Sequence, residues 1–272
     1  MLNVLFFKLT LSFYFLGTVF FLLNLWEEKG ERESPGLFRR SQKIALLFTA
    51  AGFLFHTLAL VFRMKEAGYF PLTSLHEAIS FFSWGVVLAF FLVELKHRIY
   101  ILGSFILPLV FLFLMSAAAL PNEIRALDPT LKSAWLGVHT TLSLLGVVGF
   151  AIAFIAGIMY LLQESFLKSK QFSPLYYKLP SLDLLDDWNR KAILVGFPLL
   201  TLGIITGALW AHFVWGSYWT SNNPKQTLSL GTWFFYLIVL HGRITIGWRA
   251  KKAAHLAIIG FIGVIFIFVT LA

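Results

Sequence analysis

The residues of this chain best suited to chemistry are its histidines and one dense cluster of aromatic rings. Residues 207–243 read GALWAHFVWGSYWTSNNPKQTLSLGTWFFYLIVLHGR. An apolar helix is expected to run out at His212, and Trp210, Trp215, Tyr218 and Trp219 fall within ten residues of one another. A polar turn over residues 220–226 follows, and a second apolar helix re-enters with His241 deep inside it. Four flat rings at a helix exit, with imidazoles on both flanks, suit a flat, apolar, metal-bearing ligand, and haem fits that description. The chain has no cysteine, so thiol–disulfide chemistry, an Fe–S cluster and thiolate ligation are excluded. Any haem iron must be held by His or Met. Lys225, in the polar turn, would meet a haem propionate through a charge-assisted hydrogen bond.

These groups need a scaffold, and composition says which kind. Hydrophobic residues make up 58% of the 272 and aromatic residues 17%, with a mean hydropathy of +0.80. A soluble fold of this size cannot cover that much apolar surface. The expectation is an all-α, polytopic membrane bundle, residues 1–272 forming one integral domain. Apolar runs of about 20 residues mark the spans: 4–25, 44–62, 78–95, 101–119, 134–162, 192–212, 228–247 and 256–271, eight in all. The first lacks a small-residue cleavage site and reads as a retained helix. The fifth is long enough to tilt or to extend past the bilayer.

The formal charge of +9 is not read as a nucleic-acid footprint, because in a membrane protein Lys and Arg collect in cytoplasmic loops. Sixteen of the 22 lie in the odd-numbered loops, five in the even ones, and Lys8 lies in the first span. That asymmetry predicts a bacterial inner-membrane protein with both termini outside and the tryptophan-rich loop, residues 213–227, on the outer face. Residues 163–191 form the longest polar stretch, expected on the cytoplasmic side as an amphipathic interfacial segment or a plain connector. Residues 27–43 read as a linker, and the outer loop 121–132 as the site of a short surface helix.

Span counting places each histidine. His56 and His241 both come within roughly 5 Å of the bilayer midplane, on opposite sides of it, at 1.5 Å of rise per residue. Ionisable side chains at that depth are costly and commonly functional. A neutral imidazole bonded to a neighbouring helix and a bis-histidine haem site both satisfy the placement. His139 begins the fifth span near the outer face, where His76 and His212 also lie. For His76 and His212 the alternative is an interfacial histidine bonded to headgroups or water. His97 and His255 sit among cytoplasmic charges and are expected to be solvated. Aromatic belts are ordinary at membrane interfaces, but a belt requires neither this density of rings nor the turn Asn222-Asn223-Pro224-Lys225.

At these residues the chain resembles the CcsA/HemX family of cytochrome c assembly proteins. The stretch WGSYWTSNNPKQTLSLGTWFFYLIVLHGR is similar to the family's tryptophan-rich loop at Trp215, Gly216, Tyr218, Trp219, Pro224, Lys225, Ser229, Trp233, Tyr236, His241 and Arg243. Further likeness surrounds His56 and His139, so that the resemblance covers roughly residues 50–260. It implies a bundle that passes haem across the membrane and presents it outside for attachment to apocytochrome c. It also implies His139 as an outer axial ligand and His241 as a ligand of haem within the membrane. Ser221, Asn222 and Asn223 replace the family's Trp-Asp pair, and Gln226-Thr227-Leu228 replace a Glu-Thr-Trp. The family's second outer histidine lies beyond the last span, and this chain stops at Ala272 without it. His76 or His212 would have to supply that ligand.

Three readings follow. In the first, the chain binds haem b non-covalently and transiently through His241 with His56 or a partner's histidine. It then displays the haem against Trp210, Trp215, Tyr218 and Trp219 near His139, at most as one part of a cytochrome c synthase. Its partners would be membrane lipid, a second assembly subunit and apocytochrome c, with no nucleic acid. The alternative is a HemX-like, non-enzymatic membrane regulator of haem biosynthesis acting at the level of glutamyl-tRNA reductase. A transporter that uses the same helices without haem is the third.

Overall fold

The computed structural model describes residues 2–26, 35–124, 129–170, 172–219 and 224–270. Nine α-helices occur in order among them: α1 (Leu2–Trp26), α2 (Pro35–Ala67), α3 (Leu75–His97), α4 (Ile101–Ala118), α5 (Ala134–Ser169), α6 (Pro174–Lys178), α7 (Leu182–Trp215), α8 (Pro224–His241) and α9 (Ala250–Thr270). No strand occurs among the described residues. Eight of the helices are long and apolar enough to cross a membrane, as the hydropathy pattern predicts; the ninth, α6, is a five-residue turn of helix. The chain is an integral membrane protein with an all-α, polytopic fold.

Two compact units divide the chain. The first comprises Met1–Arg125 and Ser169–Leu179, the second Ala126–Lys168 and Pro180–Ala272. In the first unit α1 packs along α2 and α4, and α3 packs on α4. The start of α3 is fixed locally. Ser74 accepts a hydrogen bond from the Glu77 backbone N–H at 3.2 Å, and Glu77 accepts one from the Ser74 N–H at 3.1 Å, a reciprocal capping box. The same carboxylate meets Arg63 Nε at 2.9 Å. Arg63 also donates to the carbonyls of Asn122 and Glu123, at 2.6 and 3.3 Å. One buried guanidinium therefore ties the end of α2, the start of α3 and the chain after α4.

In the second unit α5 is the core helix. Its most apolar stretch is 61% buried, against 22–33% for α7, α8 and α9. Small residues let its neighbours approach. A Cβ on Gly146 would stand 2.7 Å from the Leu200 nitrogen, and one on Gly149 would stand 2.8 Å from Gly196 Cα, so α5 and α7 cross almost backbone to backbone. Phe150 stacks on Tyr236 of α8 with ring centroids 3.5 Å apart, and Phe154 meets Phe261 of α9.

The helices exceed the predicted spans at several ends. Helix α5 continues to Ser169 and α7 begins at Leu182, capped by Ser181. The stretch 163–191 is therefore largely helical, with α6 as a short turn between the two long helices. Charged turns keep α-helical hydrogen bonding where they leave the apolar layer, because those bonds are internal to the segment. The short helix expected in 121–132 appears as a 3₁₀ turn at Pro129–Lys132. Of the linker expected over 27–43, residues 27–34 lie outside the described residues, and α2 begins at Pro35.

Candidate functional site

The predicted helix end at His212 moves one turn onward. Helix α7 runs through Trp215 and stops at Gly216, whose φ of 70° is open to glycine without strain and whose N–H bonds the His212 carbonyl at 2.9 Å. The ring cluster therefore straddles a helix terminus rather than sitting in a loop. Trp210 is buried, and its Nε1–H has no hydrogen-bond partner among the described residues. Trp215 stands edge-on to it with centroids 5.0 Å apart. Past the terminus, Tyr218 lies flat on His212, centroids 4.2 Å apart and planes within 6°. Ser217 closes a small turn by donating to the Trp219 carbonyl at 2.6 Å. Trp215, Tyr218 and Trp219 are each about half exposed, at 48%, 55% and 43%. Lys225 is exposed in the first turn of α8, while Asn222 and Asn223 lie outside the described residues.

His139 projects from the start of α5 onto α7. Its Nδ1 lies 2.6 Å from the Gly203 carbonyl oxygen, which can only accept, so that nitrogen carries the proton. Nε2 is left with its lone pair and makes no hydrogen bond among the described residues. The ring fits because position 207 is glycine: a Cβ there would lie 2.5 Å from both Cε1 and Nδ1 of the imidazole. Gly203, Gly207 and Trp210 follow at helical spacing on one face of α7. The stripe that seats His139 thus leads directly to the ring cluster. An imidazole oriented by a backbone carbonyl on one nitrogen and open on the other is the usual arrangement of a histidine ligand to a metal.

The remaining histidines are placed differently. His241 is exposed on the last turn of α8, and its side chain makes no hydrogen bond among the described residues. His56 is wholly buried in the first unit, where Nε2 lies 3.1 Å from Ser80 Oγ and Nδ1 lies 3.4 Å from the Tyr14 hydroxyl. Both of its ring nitrogens are occupied. His76 bonds the Ala117 carbonyl through Nδ1 at 2.8 Å and packs beside Phe7. It borders a cavity of about 30 Å³, shared with Arg63, Glu77 and Ser80, which has room for about one water. His212 keeps Nδ1 buried, without a hydrogen bond among the described residues. The structure therefore brings His139 to the α7 stripe that ends in Trp210 and Trp215, and sets His212 against Tyr218. His56 stands in the other unit.

Two buried networks leave little trace in the sequence. One is Arg63 with Glu77. The other joins Arg243 to Asp186 at 2.8 Å and to Asn189, which in turn donates to the Ala153 carbonyl at 2.7 Å. The only sequence signal for either was a charge inside an apolar run.

The chain matches the family model for cytochrome C assembly protein over residues 72–271. It is 36% identical over 225 residues to the cytochrome c biogenesis protein CcsA of Guillardia theta, covering 76% of this chain and 74% of that protein. It is 33% identical over 279 residues to the CcsA of Prochlorococcus marinus (strain MIT 9301), covering 94% and 87%, and 31% identical over 290 residues to that of Pyropia yezoensis, covering 92% and 89%. These relatives carry the CcsA name, and they lend the HemX-like alternative no support. The match spans both the helix face that seats His139 and the ring cluster at the end of α7, and the chain belongs to the cytochrome c assembly family.

Proposed function

We propose that this protein works in cytochrome c biogenesis as a haem-handling membrane component that holds haem b transiently and presents it to apocytochrome c. The observation that carries the reading is His139. Its Nδ1–H is committed to the Gly203 carbonyl, its Nε2 is open, and the face of α7 on which it rests continues into Trp210 and Trp215. The residues fit the cargo. Nε2 supplies an axial ligand for iron, the half-exposed rings of Trp215, Tyr218 and Trp219 supply flat apolar surface, and Lys225 supplies a cation for a propionate. Haem brings vinyl groups that react with the cysteine thiols of apocytochrome c. The protein's share is binding, orientation and exclusion of water.

His241 is the proposed ligand for haem within the membrane. It is exposed on α8 and needs no internal bond broken before it can ligate. His56 enters on a condition: it reaches iron only by giving up its bond to Ser80 or to Tyr14. The asymmetry of Lys and Arg supports a cytoplasmic-membrane location with both termini and the ring cluster on the outer side. A second assembly subunit is the proposed source of any missing ligand.

The test is genetic and chemical. Deletion should abolish covalently bound haem in c-type cytochromes, detected by haem-dependent peroxidase staining of denatured membranes. Wild type should restore the signal, and His139→Ala should not, although it accumulates in the membrane. Normal c-type haem in the deletion strain would refute the proposal.

A further inference from the structure

The second unit carries a cavity that the proposed haem site does not use. It lies where α7 begins and α8 ends, and its volume of about 490 Å³ falls within the range that takes small ligands. Helix α7 supplies Asp183, Asp186, Asp187 and Arg190 to one wall. The opposite wall is a π-helical turn, Gly242–Ile246, and the bend after it, which bring Arg243, Trp248 and Arg249. Single π turns inside membrane and soluble helices recur at functional sites. This one is locked: the Trp248 N–H bonds the Gly242 carbonyl at 2.9 Å, the indole packs on Gly242, and Lys252 Nζ sits 3.8 Å from the ring centroid. The wall is preformed.

The charges on that wall sort into used and unused. Asp186 is paired with Arg243 at 2.8 Å, and Asp187 with Arg190 at 2.9 Å and with Lys191. Asp183 and Arg249, both exposed, have no ion-pair partner among the described residues. A third polar group is buried. Arg243 is only 7% exposed, its terminal nitrogens are held by Asp186 and Asn189, and its Nε–H is shut off from solvent with no hydrogen-bond partner among the described residues. The cavity therefore offers one free carboxylate together with one free guanidinium, a pattern complementary to a zwitterion.

We propose that this cavity holds the phosphoethanolamine headgroup of a membrane phospholipid, its phosphate against Arg249 and its ammonium against Asp183. The surroundings favour a lipid over a free zwitterion. Leu194, Leu240 and Ile244 line the cavity, and Ile244 is 68% exposed, giving acyl chains an apolar path out. The site also lies where the apolar faces of α7 and α8 give way to charge, the level at which headgroups and amphipathic rings meet.

The test uses the full-length protein, purified in detergent and stripped of lipid. Retention of phosphatidylethanolamine, its mono- and dimethyl derivatives, phosphatidylcholine and phosphatidylglycerol is then compared by native mass spectrometry. One phosphatidylethanolamine per chain should be retained. Affinity should fall along the methylation series to about ten-fold weaker for phosphatidylcholine, because the N–H donors are lost while the charge stays. Asp183→Asn should erase that difference, and Arg249→Gln should weaken every phospholipid. Free phosphoethanolamine should not compete at equal concentration. Equal retention along the methylation series in wild type would overturn the proposal, since that comparison needs no variant. So would preference for phosphatidylglycerol, indifference to both substitutions, or effective competition by the free headgroup.

Discussion

Gly207→Ala isolates the His139 site from the rest of the bundle. The added Cβ would stand 2.5 Å from Cε1 and Nδ1 and 3.1 Å from Nε2, so it lands on the ring face. Ordinary carbon contact needs about 3.5 Å, so the imidazole must withdraw by about 1 Å. That movement breaks the 2.6 Å bond to the Gly203 carbonyl, worth about 1 kcal/mol net, and frees the ring to rotate. Alanine in a helix interior recovers about 1 kcal/mol relative to glycine. Stability should therefore change by less than about 1 kcal/mol, while haem affinity falls about 10- to 100-fold, the usual effect of losing the group that orients a metal ligand. The assay is haem titration of the purified protein, with detergent-compatible thermal unfolding alongside. Gly149→Ala serves as the contrasting variant. Its Cβ meets Gly196 Cα at 2.8 Å, which forces α5 from α7 and should cost about 1–3 kcal/mol of stability while leaving the affinity of folded protein unchanged. Undiminished haem binding in Gly207→Ala, or an equal loss in Gly149→Ala, would refute the reasoning.

Two further substitutions probe the scaffold. Arg63→Met leaves the Glu77 carboxylate buried without its cation and should lower stability by about 3 kcal/mol, read from denaturant unfolding in detergent. Pairing it with Glu77→Leu should recover part of that loss, and a neutral single variant would show the ion pair to be dispensable. Tyr236→Phe removes a buried hydroxyl that has no hydrogen-bond partner among the described residues, while keeping the 3.5 Å ring stack on Phe150. It should raise stability by up to about 1 kcal/mol. A marked loss would mean that the hydroxyl is satisfied by a group bound in the working protein.

Periodicity and composition carry the fold. All eight spans are legible because an apolar run of about 20 residues admits few alternatives in lipid. The ends are less legible. Residues 163–169 and 182–191 are charged and still helical, since nothing in the loss of apolar character stops a helix; Ser181 and Gly216 do that locally. His139 was legible as a candidate, but not its orientation, which depends on Gly203 and Gly207 more than 60 residues away. The bonds of His56 to Tyr14 and Ser80, 42 and 24 residues distant, were equally hidden, and they are what distinguish a buried bonded imidazole from an open one. A hydropathy profile records depth, whereas hydrogen bonding is set by which helix faces meet. The ring cluster is legible from its density and the polar turn after it, and the structure adds that it is built around a helix terminus.

The central claim is that an imidazole held by the Gly203 carbonyl ligates haem iron through its open nitrogen. Its most direct test is the absorption spectrum of the purified protein titrated with haem, for wild type, His139→Gly, and His139→Gly with free imidazole added. Wild type should show a saturable, shifted Soret band, weakened at least ten-fold in the variant and restored by imidazole. A wild-type spectrum that stays that of free haem, or a His139→Gly spectrum indistinguishable from wild type, would contradict it.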